Sequence, residues 1–111
     1  MSDDLAQDLT AHARWVWAEG MRDQHGRRVV DVGLVTGALW PDLTDMATAG
    51  RLLEALDALG VLTDVVRSEG EWIVAVELPS ELKGFAGDYL GEAAAWALLE
   101  AWAEVGRAEE A

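Results

Sequence analysis

The sequence predicts an α+β fold, a small three-layer α/β/α sandwich in which three helices surround a short, mainly antiparallel sheet. Three segments repeat apolar residues at helical spacing, and two β-rich runs joined by a short turn predict a hairpin at about residues 61–78. The second run is apolar on both faces, which indicates cover on both sides. With 111 residues the chain forms a single domain, residues 1–111, with an ordered core at about residues 3–105 and a short polar C-terminal tail.

The first helix is predicted to begin at Ser2, whose hydroxyl is a good N-cap. Asp3 and Asp4 place negative charge in the first turn, where the helix dipole favours it. The helix is expected to run to about Glu19 and to end at Gly20. Its apolar stripe consists of Leu5, Leu9, His12, Ala13 and Val16.

The segment at residues 21–39 has a weaker pattern. Residues 23–26 read as a turn, and the β-branched run from Arg27 to Val35 predicts one strand. Gly33 and Gly37 make this strand irregular.

The stretch WPDLTD at residues 40–45 predicts the start of the second helix, with Thr44 or Asp45 as N-cap. Its two aspartates are therefore interpreted as capping and first-turn residues rather than as catalysts. The helix is expected to end at Gly60. Gly50 lowers helix propensity inside it, which indicates close packing against another backbone at that point.

The hairpin joins residues 61–67 to residues 71–78 through Ser68, Glu69 and Gly70. A loop is predicted at residues 80–87 because glycines flank Phe85. The last helix then extends from about Asp88 to Val105, with a broad apolar side.

Composition limits the classes of function. The chain has 21 acidic and 8 basic residues, for a net charge of −13, so its surface repels phosphates and direct nucleic-acid binding is not expected. A basic protein partner suits this charge, although acidity also serves solubility alone. The absence of cysteine excludes disulfides and thiolate chemistry. No apolar run reaches the roughly 20 residues of a membrane span, and the start lacks a basic signal-peptide region, so a soluble cytoplasmic protein is expected.

No catalytic, cofactor-binding or metal-ligating set is recognisable, which predicts a protein that is not an enzyme. There is no glycine-rich phosphate loop, no serine in a nucleophile elbow and no histidine pair at zinc spacing. His12 is expected to be a partnered core histidine, and His25 lies in a predicted turn.

Six tryptophans are the strongest sequence clue, because tryptophan concentrates in cores and at contact hot spots. Trp72 and Trp102 are predicted to be core residues. Trp96 shares a helical ridge with three glutamates, so it either belongs to an acidic-aromatic contact surface or folds back over residues 80–85. Trp15 and Trp17 fall on opposite flanks of the first helix, so one of them is available to a partner. The interface candidates are Trp96, Glu92, Glu100, Glu104, Trp15, Trp17 and Trp40.

The segments WAEGM at residues 17–21 and WPDLTD at residues 40–45 precede a leucine-rich helix, a tryptophan-containing β segment and an alanine-rich helix. In this order of elements the sequence resembles small uncharacterised phage and prophage proteins described as phage α-β-α (ABA) sandwich proteins. The similarity is loose and covers most of residues 10–105. The resemblance implies a phage origin and the sandwich fold, and it implies no activity and no functional residues.

These observations favour a non-enzymatic phage accessory protein that inhibits a host defence or nucleic-acid-processing protein in the cytoplasm of the infected bacterium. A second hypothesis is a binder that sequesters a host signalling nucleotide by stacking on a tryptophan, and a third is a virion or assembly component. A homodimer is compatible with all three. The nucleotide hypothesis requires four arginines to gather in one pocket: Arg22, Arg27, Arg28 and Arg51.

Overall fold

The computed structural model describes residues 2–35 and 37–110, with side chains described from residue 4 to residue 107 apart from residue 36. This part of the chain contains three α-helices, a three-residue 3₁₀ turn and one antiparallel sheet in the order β1-β2-β3, which confirms the α+β fold class. The elements are α1 (Ser2–Ala11), the 3₁₀ turn (Val32–Leu34), α2 (Met46–Ala58), β1 (Leu62–Ser68), β2 (Glu71–Glu77), β3 (Leu82–Gly87) and α3 (Leu90–Glu110).

The hairpin is confirmed, and its register decides which face of the sheet is buried. Val74 on β2 lies opposite Val65 on β1 and Phe85 on β3. Val74 and Val76 are fully buried on the face that α3 covers. The other face carries half-buried Ile73 and more exposed apolar side chains at the two neighbouring strands. Helices and sheet thus share one core, consistent with a sandwich.

Helix α2 begins and ends as its sequence predicts. The Asp45 carboxylate accepts the backbone N–H of Thr48 at 3.0 Å, so Asp45 is the N-cap. At the other end, Gly60 has φ +75°, and its N–H donates to the carbonyl of Asp57 while the N–H of Val61 donates to that of Leu56. This pair of bonds is the Schellman arrangement, which satisfies two carbonyls that the helix end would otherwise leave open.

Helix α3 is the central element of the fold, because it contacts α1, α2, β2 and β3. Its inner side is built from small residues, which allow the other elements to approach closely. Gly91 marks the tightest approach, since a Cβ there would clash with the carbonyl oxygen of Leu43 and lie 2.9 Å from its carbonyl carbon. The fully buried alanines are Ala93, Ala94, Ala95, Ala97 and Ala101.

Helix α1 is shorter than predicted, ending at Ala11 instead of at about Glu19. The N–H of Arg14, which a continuing helix would bond to the carbonyl of Thr10, donates to His12 Nδ1 at 3.1 Å. Val16, predicted to extend the apolar stripe, is 71% exposed. The N-cap predicted at Ser2 lies outside the described side chains.

The strand predicted at Arg27–Val35 is wrong. Val35 in this run is half-buried against the core, while Val29 is buried in the core and exchanges backbone hydrogen bonds with Gly20 and Met21. Two residues later the Asp31 carboxylate accepts the N–H of Gly33 and turns the chain into the 3₁₀ turn. Of the four valines in this run, Val30 and Val32 are exposed and cover no apolar surface, so the β-branched pattern lacks the packing that a strand needs.

The predicted loop at residues 80–87 is also wrong in part, because residues 82–87 form β3. The glycines there allow close packing instead of a turn. A Cβ on Gly87 would lie 3.0 Å from the backbone nitrogen of Ala93, so the strand and α3 touch at this point. Conversely, nothing lies within 4 Å of a Cβ on Gly50, so the close backbone contact predicted there is absent.

The last helix begins at Leu90, two residues later than expected, and continues to Glu110. The polar tail predicted after Val105 is therefore helical as far as the structure describes it.

Candidate interaction surface on the last helix

The side of α3 that faces away from the core carries two large aromatic groups. Trp96 is 50% exposed and Tyr89, next to the helix start, is 48% exposed. At 100° per residue, Tyr89, Glu92, Trp96 and Glu100 lie within about 80° of one another around the helix. We call these four residues the Trp96 ridge. With half of its surface in solvent, the Trp96 side chain is available for contact with another molecule.

The carboxylates near Trp96 differ in how freely they face solvent. Glu92 accepts the backbone N–H of Tyr89 at 3.3 Å, and Glu100 lies 3.9 Å from the ammonium of Lys83. Glu104 accepts the hydroxyl of Ser80 at 2.6 Å and pairs with Arg107 at 3.2 Å.

The hydrogen bond from Ser80, together with the bond and charge of Arg107, holds the pKa of Glu104 below its ordinary value. Its side chain is 14% exposed. Glu104 thus ties α3 to the β2–β3 connection, while Glu92 and Glu100 remain beside Trp96.

Trp15 and Trp17 lie elsewhere. Both are half-buried in the irregular segment after α1, and their rings meet edge to face with centroids 5.4 Å apart. They are not on opposite flanks of a helix, because α1 has already ended. They share a pocket with Leu98 and Trp102, which lie about 200–240° around α3 from Trp96. The structure does not bring them to the Trp96 ridge.

The remaining tryptophans and the two histidines have defined surroundings. Trp102 is buried, as predicted, and stacks on His12 with ring centroids 4.7 Å apart. His12 is thus partnered as expected from sequence, but it is half-buried and not a core residue. Trp72 is only half-buried, with the guanidinium of Arg67 5.3 Å from its ring centroid. Trp40 is half-buried, and its indole N–H has no hydrogen-bond partner among the described residues. His25 is exposed in the predicted turn.

The four arginines of the nucleotide hypothesis each have a carboxylate partner, at 2.6–3.7 Å. Two of them, Arg28 and Arg51, reach the backbone carbonyls of Gly20 and Glu19. Arg51 alone of the four lines the pocket that holds Trp15 and Trp17. The pairs are Arg22–Asp42, Arg27–Asp23, Arg28–Asp45 and Arg51–Glu54.

Asp23 and Asp45 are two of these partners, and sequence reasoning missed their pairing. Burial raises the pKa of Asp23. The backbone N–H groups of Arg27 and His25 and the Arg27 guanidinium lower this pKa by more, so the net shift is downward. Burial also raises the pKa of Asp45, and the bonds from Arg28 and Thr48 outweigh that effect. The i, i+4 spacing of Asp23 and Arg27 was the available signal, whereas the Asp45–Arg28 pair depends on tertiary contact.

Comparison with known protein families, with curated proteins and with solved structures finds no match to this chain. The assignment of the candidate surface therefore depends on the geometry of this protein alone. In the described part of the chain, no three histidine or carboxylate side chains cluster closely enough to hold a metal ion. None of the helices within residues 2–35 and 37–110 has the length and apolar character needed to cross a membrane.

The imbalance between acidic and basic side chains gives the surface its negative charge. At least six of the eight basic side chains have a carboxylate within 4.0 Å, so most positive charge is neutralised locally. Acidic residues outnumber basic ones by 21 to 8, which leaves the net charge of −13 to act on the surroundings. An approaching molecule meets a negative field with an exposed indole on α3.

Proposed function

We propose that this protein is not an enzyme and acts by binding a basic protein through the Trp96 ridge. The half-exposed indole of Trp96 between two carboxylates is the observation that carries the proposal. A few residues supply most of the binding energy at protein interfaces, and tryptophan, tyrosine and arginine are enriched among them.

The ridge offers a basic partner two kinds of contact at once. An arginine of the partner can lay its guanidinium on the face of Trp96 while it donates hydrogen bonds to Glu92 or Glu100. Glu100 lies 3.9 Å from the ammonium of Lys83, and it can exchange this ammonium for the partner's positive charge at little cost, because exposed ion pairs contribute weakly.

The class of partner follows from the charge. Proteins that handle nucleic acids carry basic clefts, and a surface of net charge −13 is attracted to such clefts at a distance. On this basis, and on the resemblance to phage ABA sandwich proteins, we propose an accessory protein of a phage. Its target is a defence or nucleic-acid-processing protein in the cytoplasm of the infected bacterium.

Capture from bacterial lysate, followed by binding measurements with the purified captured protein, tests this function. We expect Trp96→Ala to weaken binding about 30-fold, the loss typical of an aromatic hot spot of about 2 kcal/mol. Its melting temperature should stay close to that of the parent protein, because half of the indole is already in water.

Leu34→Ala is the matched control, since Leu34 is 72% exposed and lies off the ridge. Binding should be unchanged in this variant. Raising the salt concentration from about 0.1 M to about 1 M should also weaken capture, because the screening length falls from about 10 Å to about 3 Å. Equal loss in both variants, or capture that salt does not affect, would contradict the proposal.

A further inference from the structure

A cavity of about 360 Å³ lies on the side of α3 opposite the Trp96 ridge. Its inner wall consists of Leu52 from α2 and Leu98 and Trp102 from α3, all buried. Its outer wall is the irregular segment after α1, with Trp15 and Trp17. The volume is within the range of small-molecule sites, which is about 300–1,000 Å³.

Aromatic rings dominate this cavity. Three of the six tryptophans line it, and Trp15 and Trp17 stand nearly perpendicular to each other, at 82°. The indole N–H of Trp15 is buried and has no hydrogen-bond partner among the described residues, so packing contacts alone hold this ring. Adjusting this ring to an entering ligand therefore breaks no hydrogen bond. Such walls favour a flat, apolar ligand body.

Positive charge at the cavity comes from Arg14 and Arg51. Arg51 is fixed in place by two bonds, from Nε to the carbonyl of Glu19 and from a terminal nitrogen to Glu54, both 2.8 Å long. A guanidinium has five N–H donors, so three of those on Arg51 have no partner among the described residues. An oriented guanidinium with open donors is the group best suited to a carboxylate.

We propose that this cavity binds an aromatic monocarboxylate, with the ring system among the indoles and the carboxylate on Arg51. A nucleotide fits less well, because its phosphate brings two charges toward a site where Glu54 already holds part of the Arg51 guanidinium and the protein carries a net charge of −13. A wholly apolar ligand leaves the Arg51 donors without use. The site is separate from the Trp96 ridge, so either proposal can fail without the other.

Titration with 2-naphthoate, followed by calorimetry and by the NMR signals of the indole N–H groups, tests the proposal. Saturable binding with a Kd below about 1 mM is expected for a ligand of this size. The signals of Trp15, Trp17 and Trp102 should move and that of Trp96 should not. The neutral analogue 2-naphthalenemethanol should bind roughly tenfold more weakly, since it cannot form the charged hydrogen bonds. Adenosine monophosphate should not compete.

Three variants sharpen the test. Arg51→Gln should weaken 2-naphthoate binding roughly tenfold and leave the neutral analogue within about twofold. Arg107→Gln removes the same charge outside the cavity and should change neither. Ala55→Phe fills the cavity from the half-exposed side of α2 and should abolish binding.

Absence of indole shifts up to about 5 mM 2-naphthoate, far above the affinity expected for such a ligand, would overturn the proposal. Equal affinity for the neutral analogue in the parent protein would overturn the carboxylate assignment even if Arg51→Gln failed to fold. Tighter binding of adenosine monophosphate than of 2-naphthoate would instead establish the nucleotide hypothesis and remove this one.

Discussion

Replacing Gly91 by alanine tests how α3 docks on the segment that leads into α2. In an open helix, alanine is more favourable than glycine by about 1 kcal/mol. At residue 91 the added methyl clashes with the carbonyl oxygen of Leu43 and lies 2.9 Å from its carbonyl carbon, and real Cβ atoms essentially never come closer than 3.0 Å to another heavy atom. A backbone cannot rotate aside as a side chain can, so helix and segment must separate.

The size of the effect follows from these two opposed contributions. Overpacking a well-packed contact costs about 1–3 kcal/mol, and a clash with backbone belongs at the upper end. Subtracting the gain in helix propensity leaves a net loss of about 2 kcal/mol. For a domain of this size, that loss lowers the melting temperature by about 8–16 °C.

Thermal unfolding followed by far-UV circular dichroism measures this change. Gly50→Ala in α2 is the control, because it makes the same chemical change where nothing lies within 4 Å of the new methyl. It should raise stability by up to about 1 kcal/mol. If Gly91→Ala proves as stable as Gly50→Ala, α3 does not pack on Leu43 as described.

Substitutions at three residues probe the ends of α2. Asp45→Asn keeps an N-cap but loses the charge paired with Arg28, so at neutral pH it should cost about 1 kcal/mol. The pKa of Asp45 is lower in the folded protein than in the unfolded chain. Its charge therefore contributes fully to folding stability above the unfolded pKa, and this contribution is lost as pH falls through the folded pKa. The difference between parent and variant in urea unfolding should therefore begin to shrink below about pH 4 and vanish only below the folded pKa of Asp45. In the parent protein, the backbone N–H of Arg22 donates to the buried Thr48 hydroxyl at 2.9 Å. Thr48→Val removes this acceptor and leaves the N–H without it. It should cost about 2 kcal/mol in urea unfolding, while Thr48→Ser costs less; equal loss in both would contradict this role. Gly60→Ala forces φ +75° on a residue with a Cβ and should cost about 1 kcal/mol in the same assay; no loss would show that the helix end rearranges.

The elements that could be predicted from sequence are those whose signal is local. Helix α2 has its cap at Asp45 and its stop at Gly60, and the hairpin has its turn at residues 68–70, so nearby residues decide both. The place of Trp96 among glutamates on one helical ridge left two alternatives open, and the structure shows that half of this side chain is exposed.

The errors arose where tertiary contact overrides the local pattern. Strand β3 reads as a loop because Gly87 supplies no side chain, yet the glycine is what lets the strand touch α3. The valines at residues 29–32 read as a strand, but only Val29 is offered a core. Gly50 and Gly91 look alike in sequence, and only the fold shows which of them lies against another backbone.

The cavity beside Trp15 could not have been found from sequence, since it is formed by three separate segments. Trp15 and Trp17 were assigned to a helix that in fact ends at Ala11, and their edge-to-face pairing depends on that early end.

The two sides of helix α3 differ in burial: the alanines on one side are fully buried, while Trp96 on the other side is half exposed to water. Substitutions on the outer side can accumulate without unfolding the domain, whereas replacing a buried alanine on the inner side by a larger residue destabilises it. If the Trp96 ridge binds a partner as proposed, its residues can therefore change with that partner while the scaffold stays constant.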